Sequence, residues 1–129
     1  VPKFIRRRTL WKSNGPLGRN WKDVPDTGRE PSVPGEANLV GSGVKGLPGF
    51  HMPVIDIDFS AHLEPSSTEG HSHLYLNRTM VWETYAALLK ALYDAGVIEE
   101  GFYEMSIARG QSFVRYPGVT KLPGEEASG

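Results

Sequence analysis

Cysteine is absent from this 129-residue chain. Disulfides, zinc–thiolate clusters and thiol nucleophiles are thereby excluded. Long apolar runs are also lacking. None approaches the roughly 18 residues of a membrane-spanning helix, so no membrane partner is expected. The first residues are basic and polar, without the apolar stretch of a secretory signal. A cytoplasmic location is therefore the expectation. Familiar catalytic signatures are missing too: there is no His-Glu-x-x-His, no EF-hand loop and no Gly-x-Ser-x-Gly. Gly41, Gly43, Gly46 and Gly49 form a glycine-rich run. No Gly-Lys-Ser/Thr ends it, so it is not a P-loop.

Turn formers are abundant. The chain holds 15 Gly and 10 Pro against 39% hydrophobic residues, which predicts many irregular segments around a small core. The net charge of −1 conceals an asymmetry. Residues 1–50 carry nine Lys/Arg and four Asp/Glu, or +5, while residues 51–129 carry five and eleven, or −6. The halves should attract each other, or the basic half should attract an anion.

The halves also differ in pattern. Apolar residues of the first fifty, among them Phe4, Leu10, Trp11 and Trp21, keep no period and are separated by turns at Asn14-Gly-Pro and Asp26-Thr-Gly. Residues 1–50 therefore read as an extended basic arm wrapping a core at 51–121, with 122–129 as a flexible tail. Arg6, Arg7 and Arg8 are its candidate nucleic-acid contacts; a solvated basic arm is the plainer reading. Trp11 and Trp21 read as anchors packed on the core rather than as base-stacking platforms. Residues 38–50 read as a strand remnant and a glycine-rich loop.

Pro53–Phe59 alternates apolar and polar residues and reads as a strand; Ser72–Asn77 reads as a second, with a polar connection at 60–70. A helix is predicted over 79–95, capped by Asn77 or Thr79. Val81, Tyr85, Leu88, Leu89, Leu92 and Ala95 form its apolar stripe. Gly96 sits where a left-handed cap is needed, and Val97 should fold back on Leu92. Residues 102–108 and 111–116 read as a hairpin across Arg109-Gly110. The expected class is α+β: a small, mainly antiparallel ββαββ sheet, RRM-like, with one main helix on one face.

Alternation would turn Ile55, Ile57, Leu74, Leu76, Met105 and Val114 toward the helix. Asp56, Asp58, His71, His73, Tyr75, Glu104, Ser106 and Arg115 would share the other face. Two carboxylates with water and phosphates suit Mg²⁺ or Mn²⁺, and imidazole favours Mn²⁺ or Zn²⁺, so the face reads as a metal or phosphate site, though such a face is often only wet surface. Ser66-Ser-Thr reads as a turn.

Ile55-Asp-Ile-Asp followed by Pro65-Ser-Ser-Thr-Glu-Gly-His-Ser-His-Leu-Tyr resembles the first two motifs of archaeo-eukaryotic-type primases and primase-polymerases. Arg115-Tyr-Pro-Gly-Val-Thr-Lys121 is similar to a later segment of some members, so the resemblance spans about residues 53–121. It implies a metal-dependent nucleotidyltransferase-like activity. Asp56 and Asp58 would hold metal, with His73 and Glu104 as further ligands. Ser67 and either His71 or His73 would face phosphates, as would Arg115 and Lys121, and Asp56, Asp58 and His71 would be catalytic; Arg109 is a further candidate phosphate contact. The later half also resembles small uncharacterised proteins of actinobacterial phages, which implies a host-cell cytoplasmic or virion setting. Two functional readings follow. One is a primase-like domain that binds or processes nucleotide or nucleic-acid phosphates. The other is a non-enzymatic phage protein, a virion component or partner-binding module, whose partner is a protein or a second copy.

Overall fold

Strand β1 (Arg8–Trp11) opens a three-stranded antiparallel sheet with β2 (Leu39–Val44) and β3 (Leu47–His51), in the order β1-β2-β3. The computed structural model describes residues 1–12, 30–31 and 34–120. Trp21, the turns at Asn14 and Asp26, Lys121 and the tail 122–129 lie outside the described residues. The chain forms two compact units, Val1–Asp56 and Ile57–Gly129.

In the first unit, Leu10 pairs with Val40 and Arg8 with Val44. Leu10 and Val44 are its buried apolar side chains among the described residues. Gly41 is fixed by close approach. A Cβ there would collide with the Thr9 hydroxyl and lie 3.2 Å from the Trp11 indole nitrogen. Trp11 is thus packed across β2, as an anchor would be. A 3₁₀ turn at Pro34–Glu36 precedes β2. Within the stretch read as an extended arm, residues 8–11, 39–44 and 47–50 form this sheet. The apparent strand remnant and loop at 38–50 are a hairpin. Short glycine-containing strands hide from a period search, because glycine contributes no side chain to the alternation.

The second unit begins with a hairpin, β4 (Ala61–Pro65) and β5 (Ser72–Leu76), in unbroken antiparallel register from Ala61↔Leu76 to Pro65↔Ser72. Ser72–Leu76 matches the predicted strand. Pro53–Phe59 does not: residues 52–57 have no regular structure, and Ile55 is 71% exposed. Alternation alone makes no strand; a partner must take the backbone hydrogen bonds. β5 takes Ala61–Pro65 as its partner, a segment expected to be a loop.

Helix α1 (Trp82–Asp94) fulfils the central prediction. Leu89 is 2% exposed, and Tyr85, Leu88 and Leu92 are half-buried on the same stripe, whereas Val81 and Ala95 are exposed. The start differs. Val81 is the N-cap and supplies no side-chain hydrogen bond, so neither Asn77 nor Thr79 caps the helix. The end is as expected. Gly96 has φ +76°, its N–H donates to Tyr93 O at 3.0 Å, and the Val97 N–H donates to Leu92 O at 2.8 Å. These are the two bonds of a Schellman cap. Lys90 and Asp94 pair across one turn at 2.7 Å, a bond that raises the Lys90 pKa but, fully exposed, adds little stability.

Residues 102–108 belong to a second helix, α2 (Glu100–Arg109), and 111–116 form no strand. Gly110, read as a hairpin turn, has φ 71° and caps α2 through its N–H to Ser106 O at 2.9 Å. A glycine at positive φ serves a turn or a helix end equally well. Met105 and Val114, expected in the core, are 49% and 38% exposed. The α+β class is as expected; among the described residues the ββαββ, RRM-like order is replaced by five strands followed by two helices. No helix among the described residues is long and apolar enough to cross a membrane.

Candidate functional site

Directly paired residues of an antiparallel ladder share a face. His62 opposes Tyr75 and Glu64 opposes His73, so these four line one face of the β4–β5 hairpin. The His62 Nε2–H donates to Glu64 Oε2 at 2.6 Å, and the His62 and Tyr75 rings lie 6.2 Å apart. His73 Nε2 is shielded from solvent and has no hydrogen-bond partner among the described residues. The opposite face carries Ala61, Leu63, Leu74 and Leu76, with Leu63 and Leu74 63% and 56% exposed.

The loop joining these strands is built by local hydrogen bonds. The Ser66 hydroxyl accepts from the Thr68 N–H at 2.9 Å, the His71 N–H donates to Thr68 O at 3.0 Å, and Ser66 N–H donates to His71 O at 3.0 Å. Ser66-Ser-Thr is thus the turn its composition implies. Ser67 and His71 are exposed on it.

The predicted metal ligands lie on separate elements of the chain. Asp56 and Asp58 are exposed on irregular backbone, one on each side of the break between the two units. His73 sits on β5 beside Glu64, and Glu104 is exposed on α2 rather than on a strand. Ser106, expected beside Glu104, is buried at 2%. Among the described residues, no three His, Asp or Glu side chains are grouped as ligands of one ion. Of the predicted phosphate contacts, Ser67 and His71 are on the β4–β5 loop, and Lys121 lies outside the described residues. Arg109 lies over the Phe113 ring at 5.7 Å, and Arg115 is half-buried. Arg6 and Arg7 are exposed, but Arg8 is structural: its guanidinium donates to the carbonyls of Phe4 at 2.8 Å, Met52, and Pro53 at 3.2 Å.

Sequence reasoning missed two features. The His62–Glu64 pair was overlooked because the competing alternation at 53–59 took its place; the same period runs through Ala61-His-Leu-Glu. A histidine held by a carboxylate can move a proton, yet among the described residues no nucleophile is bonded to this exposed pair. The second is a polar chain in the helical part. The Tyr85 hydroxyl donates to Ser112 Oγ at 2.7 Å, which donates to Ser106 Oγ at 2.8 Å. Its effect is to bind the segment after α2 to both helices.

The first unit holds a cleft of about 570 Å³, walled by Thr9, Leu10, Lys45, Phe50 and His51. Its size suits a small ligand or a peptide side chain. His51 is fixed there by a 2.9 Å hydrogen bond to the Ser42 hydroxyl. Comparison with known proteins gave no match: no family model, no curated protein and no solved structure aligns with this chain.

Proposed function

We propose that the chain is a non-enzymatic binding module that completes its apolar core on a protein partner, as a component of a phage particle or of its assembly would. One observation carries this reading. Among the described residues only Leu10, Val44 and Leu89 are buried hydrophobics, while Phe4, Phe50, Val81 and Tyr116 are 73%, 65%, 65% and 81% exposed. Leu63 and Leu74, paired directly across the β4–β5 hairpin on one face, are 63% and 56% exposed, and contiguous exposed apolar surface marks interaction sites. The test pairs two measurements on the purified chain. An apolar-surface dye should bind at neutral pH. Template-directed nucleotide incorporation with Mn²⁺ should be absent. No dye binding, or incorporation that Asp56→Asn with Asp58→Asn abolishes, overturns the reading.

A second reading, a primase-like domain that binds nucleotide phosphates with a divalent metal, is supported by the loop between β4 and β5. It presents Ser67 and His71 to solvent ahead of a strand, as the resemblance implies. In this reading Asp56, Asp58, His73 and Glu104 would be the metal ligands. Calorimetric titration with Mn²⁺ and nucleotide tests it. Tight binding lost in the Asp56→Asn, Asp58→Asn chain favours it; equal heats from both chains remove it.

A further inference from the structure

The outer edge of β5 distinguishes itself from every other strand edge among the described residues. An unpaired strand edge is a template for another strand, and proteins blunt such edges with charge, proline or a bulge. β1 carries Arg8 and a register shift between Arg8 and Leu10. β3 carries Pro48, which has no N–H, and Gly49 at φ +85°. β4 carries Glu64 and ends in Pro65. β5, Ser-His-Leu-Tyr-Leu, has no formal charge, no proline and no irregularity in its register.

The hydrogen-bond phase of the hairpin says which groups point outward. The Asn77 N–H donates to Ser60 O at 2.9 Å, and the Ser66 N–H donates to His71 O at 3.0 Å. Both pairs lie in register with the ladder. Alternation therefore makes 62/75 and 64/73 the hydrogen-bonded pairs. It turns the N–H and C=O of Ser72, Leu74 and Leu76 away from β4. These donors and acceptors form a complete edge, and β4 is the only strand beside β5 among the described residues. A lone two-stranded hairpin is marginal in water, and a third strand is what it lacks.

We propose that two copies of this chain pair antiparallel through β5, about a two-fold axis at Leu74, into a four-stranded sheet β4-β5-β5-β4. The occupant is a second copy because β5 complements itself in this register. Leu74 meets Leu74, Ser72 meets Leu76 and His73 meets Tyr75, with no like charges opposed. The apolar faces of both hairpins join on one side. On the other, His73, whose Nε2 has no partner among the described residues, comes to lie opposite Tyr75 of the second copy. An isologous two-fold contact of this kind closes on itself and does not propagate into fibres. This inference rests on the reading of the chain as a partner-completed module and names its first partner.

The test compares the wild-type chain with Leu74→Lys and Leu63→Lys by sedimentation over a range of concentrations. Leu63 shares the apolar face of Leu74 but lies on β4, away from the axis. The expected result is a concentration-dependent dimer for wild type and Leu63→Lys, and a monomer for Leu74→Lys under the same conditions. Because the chain has no cysteine, Leu74→Cys adds a direct readout in an otherwise unchanged protein. A short bis-maleimide should link two Leu74→Cys chains and should fail to link two Leu63→Cys chains. This arm decides the matter even if Leu74→Lys does not fold. A wild type monomeric throughout, equal disruption by Leu63→Lys and Leu74→Lys, or equal cross-linking at both positions overturns the proposal. A monomeric wild type that still binds the apolar-surface dye would sink the β5 dimer while leaving the module reading in place.

Discussion

Tyr93 of α1 and Tyr103 of α2 stack face to face, with ring centroids 4.9 Å apart and planes within 6° of parallel. The stack holds the two helices together beside the Schellman turn at Gly96. Replacing Tyr103 with Leu keeps apolar bulk and removes the ring. The expected loss is about 0.5–1.5 kcal/mol, the usual worth of an aromatic pair beyond its area. A urea midpoint equal to wild type would contradict this.

Leu89 is the most deeply buried apolar side chain of the second unit among the described residues, at 2% exposure. Leu89→Ala should cost about 2–5 kcal/mol, from lost transfer energy and the cavity left behind. The same truncation at Leu63, which is 63% exposed, should change the midpoint of the dilute chain little. Denaturation curves for the two variants decide it, and equal effects would show the burial assignment to be wrong.

The turn after α1 was legible in the sequence because its signals are local. A glycine after the last apolar position and an apolar residue beyond it define the cap without reference to the rest of the chain. Gly96→Ala tests it. An L residue held at φ +76° should lower stability by roughly 1–2 kcal/mol. An unchanged thermal midpoint would contradict the strained geometry.

The sheets were less legible, and the reason is physical. Two segments, 53–59 and 61–65, both alternate, and only pairing distinguishes a strand from an extended loop. Pairing is decided by residues distant in sequence. Ser106 was likewise placed on a wet face because its buried bonds come from Ser112, which a single-strand pattern does not anticipate. The candidate site shared this fate. His73 was found at its position on β5. Glu64, its cross-strand neighbour, was not.

Glycine-bearing strands leave a different trace, at Gly41. Gly41→Ala should destabilise the first unit, because its Cβ meets the stiff, β-branched Thr9 side chain and the Trp11 indole. Thr9→Ala in the same chain should recover much of the loss, a coupling that a double-mutant cycle measures. Simple additivity of the two changes would contradict the contact.

Arg8 and its neighbours should separate cleanly. Arg8→Gln loses guanidinium bonds to main-chain carbonyls 44 and 45 residues away and should lower the thermal midpoint. Arg6→Gln with Arg7→Gln, both exposed, should leave it within experimental scatter. A larger effect from the exposed pair would contradict the structural role given to Arg8.

The central claim is that this chain leaves its apolar faces to be covered by a partner. Amide hydrogen exchange of the dilute, monomeric chain measures this most directly. Exchange should be fast across β3, β4 and β5, where Phe50, Leu63 and Leu74 are open to water, and slowest in α1 around Leu89, since protection follows local burial. Slow exchange throughout, with β4 and β5 as protected as α1 in a verified monomer, would contradict the claim.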